Sequence, residues 1–94
     1  MKTFELKFSD PALGDVMMGR ETYDQQVRPK VNSQILNGEL VIRFPEHITI
    51  IGDSFIRGFA RPLIDVIGLD GVRSRVHFVT LRDRLTKELY VGLV

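Results

Sequence analysis

Cysteine is absent from this 94-residue chain. That excludes a disulfide framework and any zinc–thiolate site. Histidine is nearly absent: His47 and His77 stand far apart, with no H-x-x-x-H pair, so no metal site is expected. A charge excess is missing too. Thirteen basic residues face 12 acidic ones, for a net charge of +1, and this leaves no global footprint of nucleic-acid binding. No apolar run approaches the length of a membrane span. The stretch Met1-Lys2-Thr3-Phe4-Glu5 has no apolar h-region, so a signal peptide is not expected. The glycines follow no Walker-type or dinucleotide pattern, and Asp10, Asp15, Asp24 and Asp53 lack the spacing of a metal loop. No Ser-His-Asp assignment follows from spacing. The expectation is a non-enzymatic protein without a cofactor.

What is present is a hydrophobic fraction of 44%, ordinary for a folded chain. The length predicts one domain over residues 1–94, with a single thin core.

The chain is organised around one stretch, Ile48-Thr49-Ile50-Ile51-Gly52-Asp53-Ser54-Phe55, where an apolar run stops at a turn and a helical pattern begins. Before it, Phe4, Leu6 and Phe8 alternate with Glu5 and Lys7, as in a half-buried strand. Residues 12–19 read as a loop with room for a short second strand. Tyr23, Val27, Val31 and Ile35 recur every fourth residue and predict a helix ending at Asn37-Gly38. Pro29 is comfortable only in a first turn, so regular helix is expected to begin near residues 24–26. Leu40-Val41-Ile42 predicts a central strand, and Ile48 to Ile51 either extends the sheet or lines the core.

Ile56, Phe59, Ala60, Leu63 and Ile67 give a second helix over residues 53–67, with a kink expected at Pro62 and an end by Gly68. Gly71-Val72-Arg73-Ser74 reads as a connector. Val76, Phe78 and Val79 predict a third main strand, with the first strand either antiparallel at an edge or beside the second. Leu81, Leu85, Leu89 and Leu93 predict a last helix over residues 82–93, capped by Thr80, with Glu88 pairing to Arg84. Alternation of this kind predicts a small α/β domain, a mixed β-sheet with flanking helices.

The frame of Arg20 and Arg28, a helix ending at Gly38, Leu40-Val41-Ile42-Arg43-Phe44, then Ile50-Ile51-Gly52-Asp53-Ser54-Phe55 and Arg75-Val76-His77-Phe78-Val79-Thr80-Leu81 resembles the STAS-like domain family of unknown function (DUF4325). The likeness covers roughly residues 20–93 as element order plus short motifs. Such domains are similar to anti-sigma-factor antagonists, cytoplasmic bacterial regulators in which a serine at a helix N-terminus is phosphorylated by a histidine-kinase-like ATPase. The resemblance implies a protein-interaction domain and matches Asp53-Ser54 to that Asp-Ser pair.

Two uses of Ser54 follow. As a phosphate acceptor, it would place new charge on the helix N-terminus, with Arg57 one turn on as a clamp. As a structural residue, Ser54 or Asp53 would be an N-cap. The expected partner surface is Gly52, Asp53, Ser54, Arg57 and Arg61, open to a protein partner such as a histidine-kinase-like ATPase. Arg57 and Arg61, with Arg73, Arg75, Arg82 and Arg84, also admit a solvated face, or the contact face of a small nucleic-acid-binding or phage-type inhibitory protein. A third class is a self-associating module built on an exposed sheet edge. His77 reads as a satisfied strand residue.

Overall fold

The computed structural model describes residues 2–93. Three strands, β1 (Lys2–Glu5), β3 (Leu40–Arg43) and β5 (Val76–Val79), form a sheet in the order β1-β3-β5. Two short strands, β2 (Ala12–Leu13) and β4 (Ile50–Ile51), form a second pair. Every one of these pairings is parallel, which settles β1 beside β3 in the register Lys2 to Leu40 through Glu5 to Arg43. The helices are α1 (Val16–Thr22), α2 (Ser33–Leu36), α3 (Asp53–Arg75) and α4 (Asp83–Val91). This is the small α/β domain expected, since parallel neighbours need crossovers and the helices supply them.

Leu40 and Ile42 of the central strand and Val76 beside them are fully buried, and Phe4 and Phe78 are nearly so. The core grows from this row into an aromatic cluster. Phe55 and Phe59 stack at 5.9 Å, Phe44 meets Phe55 at 6.4 Å, and Tyr23 meets Phe59 edge-on at 6.0 Å. Side chains stand in for strands at the β5 edge and just past the end of β1. The Tyr90 hydroxyl donates to the Val76 carbonyl at 2.9 Å and accepts from the Phe78 N–H at 3.0 Å. The Gln26 amide likewise accepts from Lys7 N–H at 2.7 Å and donates to Lys7 carbonyl at 2.9 Å.

Several local expectations are corrected. The first helix begins at Val16, not near residues 24–26, because Asp15 is its N-cap and accepts from Met17 N–H at 2.8 Å. The helical path then widens to a π turn over Tyr23–Val27 and tightens to a 3-10 turn over Arg28–Lys30, which carries Pro29 at its start, where a missing N–H does no harm. A separate one-turn helix, α2, follows with Asn32 as its N-cap. Pro62 keeps helical backbone angles; the break in α3 falls at Gly68, whose φ of 79° and ψ of 162° suit glycine alone. The segment Gly71–Ser74 is not a connector but part of a second helical stretch that buries Val72 completely. The last helix takes Arg82 as its N-cap without a side-chain bond. Thr80 is turned away, with its hydroxyl against Thr86 Oγ1 at 2.8 Å and the Arg82 carbonyl. Leu81 is 64% exposed and does not join Leu85 and Leu89 in the core.

The β2–β4 pair sets two helix starts side by side. Gly52 N–H donates to the Leu13 carbonyl at 2.6 Å. From there α1 and α3 meet in backbone contact: a Cβ on Gly19 would fall 2.2 Å from the Phe55 carbonyl oxygen, and one on Gly58 2.1 Å from that of Val16.

Replacing Phe59, 1% exposed, by alanine is expected to cost about 3–5 kcal/mol in urea unfolding. Gly58→Ala, which forces the helices apart, is expected to cost about 1–3 kcal/mol or more by the same measurement.

Candidate functional site

The N-terminus of α3 is built by the strand that precedes it. Gly52 continues the extended path of β4 (φ −82°, ψ 156°), so the N-cap falls on Gly52 and no side chain caps the helix. Asp53 and Ser54 therefore become the first two helical residues, both exposed. The structural use expected for them, a side-chain N-cap, is not what they do. Ser54 is exposed and makes no side-chain cap bond. Asp53 still places a carboxylate at the positive end of the helix dipole.

Gly52 is half-buried, and its backbone is committed on both sides. Its N–H goes to Leu13, and its carbonyl accepts the Ile56 N–H at 3.2 Å. A Cβ there would lie 3.2 Å from Gly14 Cα. Gly52 thus sets the corner from which the exposed residues project.

Arg57 is exposed and forms no salt bridge among the described residues. Arg61 reaches Asp65 at 3.1 Å. These two arginines line a groove of about 410 Å³ together with Val16 and Arg20 from α1, Gly58, Ala60 and Ile64 from α3, and Leu93. Gly52, Asp53 and Ser54 lie outside that groove's lining. The expected surface therefore divides into the acid–hydroxyl pair on the first turn and the arginine pair beside a groove. Arg20 and Val16 belong to that groove, and periodicity alone did not single them out. The one available signal was the helix-ready stretch after Asp15, hidden by its flanking glycines.

The other arginines are mostly held by backbone carbonyls. Arg75 donates to the Leu36 carbonyl at 3.0 Å and Arg82 to the Ile48 carbonyl at 2.9 Å. Arg84 reaches Glu88 at 3.4 Å, the expected pair, and the Thr49 carbonyl at 3.4 Å. Arg73 is exposed. The downstream arginines are therefore spread through structural contacts instead of forming one basic face. His77 lies in β5, with Nε2 3.4 Å from Glu39 Oε1, and His47 is exposed. Among the described residues, no group of three or more His, Asp or Glu side chains is arranged to hold a metal ion. No described helix is long and apolar enough to cross a membrane.

Beside the groove, Arg20, Asp24 and Arg28 form a ladder: Asp24 is 3.8 Å from Arg20 and 2.9 Å from Arg28. The Arg28 guanidinium sits over the Tyr23 ring, 5.3 Å from its centroid. Burial pushes the Tyr23 phenol above its ordinary 10.0; the positive charge of Arg28 opposes this and Asp24 adds to it. No family model, curated protein or solved structure matches the chain.

Because the folded-state value is the higher one, the neutral phenol's contribution to stability is fully present below 10.0. It is lost as pH rises from there through the folded-state value. Urea midpoints are therefore expected to fall as pH is raised from about 9 to about 11, with a smaller fall for Tyr23→Phe.

Proposed function

We propose that the chain is a non-enzymatic STAS-like regulatory domain, cytoplasmic and bacterial, that docks a histidine-kinase-like ATPase through the start of α3. The docking surface is Asp53, Ser54, Arg57 and Arg61, held at its corner by Gly52. Ser54 is its phosphorylation site. One observation carries this reading: an exposed serine stands on the first turn of α3, without a capping role, and one turn along stands an arginine that has no salt bridge among the described residues.

The chemistry is that of a charge switch. Phosphorylation adds about −1.5 to −2 charges and three strong acceptors. At the helix N-terminus those acceptors meet free N–H groups and the positive end of the dipole. Arg57 supplies the countercharge. A partner that approaches this turn through acceptors or carboxylates is then repelled, and one that reads the bare hydroxyl loses its contact. The element order, with the Asp-Ser pair following the strand Ile50–Ile51, supports the family likeness.

Binding to an ATPase encoded beside this chain is expected to be retained in Ser54→Ala. It should weaken about tenfold or more in Ser54→Asp, read by calorimetry. Equal affinity for wild type and both variants removes the switch. A binding strength that falls linearly with salt on a logarithmic scale, measured on duplex DNA or RNA, would instead favour the nucleic-acid reading.

A further inference from the structure

The groove between α1 and α3 has a composition that the docking surface does not account for. Its walls are apolar at Val16, Ile64 and Leu93, and Arg20, Arg57 and Arg61 stand around it. The three cations come from two different helices. They are brought together because Gly19 and Gly58 let those helices touch. The chain's net charge is only +1, so three arginines at one groove are a local concentration and not the general character of the surface.

Their existing partners are weak competitors. Arg57 has no salt bridge among the described residues, Arg20 is 3.8 Å from Asp24, and Arg61 pairs with an Asp65 that is itself 59% exposed. Exposed pairs four residues apart on a helix hold little. An incoming carboxylate therefore has little to displace. Val16, 50% exposed, offers apolar area next to these charges that is left open among the described residues.

We infer that this groove takes an acidic, aliphatic peptide segment of a partner protein, with aliphatic side chains seated against Val16, Ile64 and Leu93 and carboxylates paired to Arg20, Arg57 and Arg61. The occupant follows from charge complementarity and size. The volume of about 410 Å³ lies within the roughly 300–1,000 Å³ of ligand-binding clefts, large enough for a few side chains. Three separated cations suit several carboxylates along a chain better than the single carboxylate of a lipid. Guanidinium groups also suit planar, two-toothed contact with carboxylates. The inference deepens the docking reading by naming the chemistry of the partner segment, and it rests on that reading for Arg57 and Arg61. Arg20 and Val16 belong to the groove alone.

The probe is a short fluorescein-labelled peptide of alternating glutamate and leucine, titrated against the full chain by anisotropy, with a glutamine–leucine peptide as control. Saturable binding of the acidic peptide is expected, with none for the control. Affinity should drop several-fold between about 50 and about 200 mM salt as exposed charges are screened. Arg20→Gln and Arg57→Gln should each weaken it roughly fivefold or more, and Val16→Glu should do so more strongly. All three positions are exposed, and circular dichroism melts check that each variant is folded. Arg73→Gln, at an exposed arginine outside the groove lining, should leave peptide affinity within about twofold. Absence of saturable binding overturns the inference, as does binding indifferent to Arg20→Gln and Val16→Glu. Loss of peptide binding in Ser54→Asp with Arg20→Gln unchanged would also overturn it and move the occupant to the α3 N-terminus, leaving the docking reading in place. An Arg20-dependent peptide site alongside Ser54 variants that bind the ATPase equally would support the groove and remove only the switch.

Discussion

The fold depends on two helix backbones touching. At Gly19 and Gly58, α1 and α3 approach so closely that a single added carbon at either position would overlap a carbonyl oxygen. Helices with ordinary side chains at their contact stay about 8–10 Å apart, axis to axis. Here the backbone contact accompanies Phe55 and Phe59 in the core and Tyr23 against Phe59. It also lines up arginines from both helices on one groove. The small β2–β4 pair fixes where each helix starts, and the glycines fix how near they run. Two positive helix ends side by side would repel; Asp15 at one and Asp53 at the other offset that charge.

A three-stranded sheet has two edges; here a side chain covers that of β5, and another holds the chain just past the end of β1. Gln26 pairs with the backbone of Lys7 in the manner of a neighbouring strand, and Tyr90 does the same for β5. Arg75 and Arg82 do comparable work at the carbonyl of Leu36, the last residue of α2, and at that of Ile48. A buried amide or carbonyl left without a partner costs about 1–3 kcal/mol, so the part-buried contacts of Tyr90, Arg75 and Arg82 remove a penalty more than they add attraction, while the Gln26–Lys7 pair is open to solvent. Among the described residues no buried side-chain nitrogen or oxygen lacks a partner.

The α/β class and the central strand were legible because Leu40 and Ile42 sit in a short apolar run and Phe4 and Leu6 alternate with charges. The start of α3 was legible from Gly52-Asp53-Ser54. What was hidden had local signals that point the wrong way. Gly14 and Gly19 made residues 12–19 look like a loop, although Gly19 is there to let a helix pack. Gly71 suggested a connector, although the turn at Gly68 had already redirected the chain. Tyr23, Val27, Val31 and Ile35 keep helical spacing, but the backbone passes through π and 3-10 turns, which a spacing of four cannot distinguish. The exposed first turn of α3 was readable, whereas Arg20 joined the groove only through tertiary packing, which one helix's periodicity does not encode.

The phenol at the rim of β5 also bears on how the chain survives its own synthesis. Residues 76–79 leave the ribosome before Tyr90 does, so for that interval a hydrophobic strand shows an outer row of bare amides and carbonyls. Such a row is a template for cross-β growth with another nascent chain. Solubility during translation then hinges on how quickly α4 folds back, and any lesion that frays α4 later reopens the same template in the finished protein.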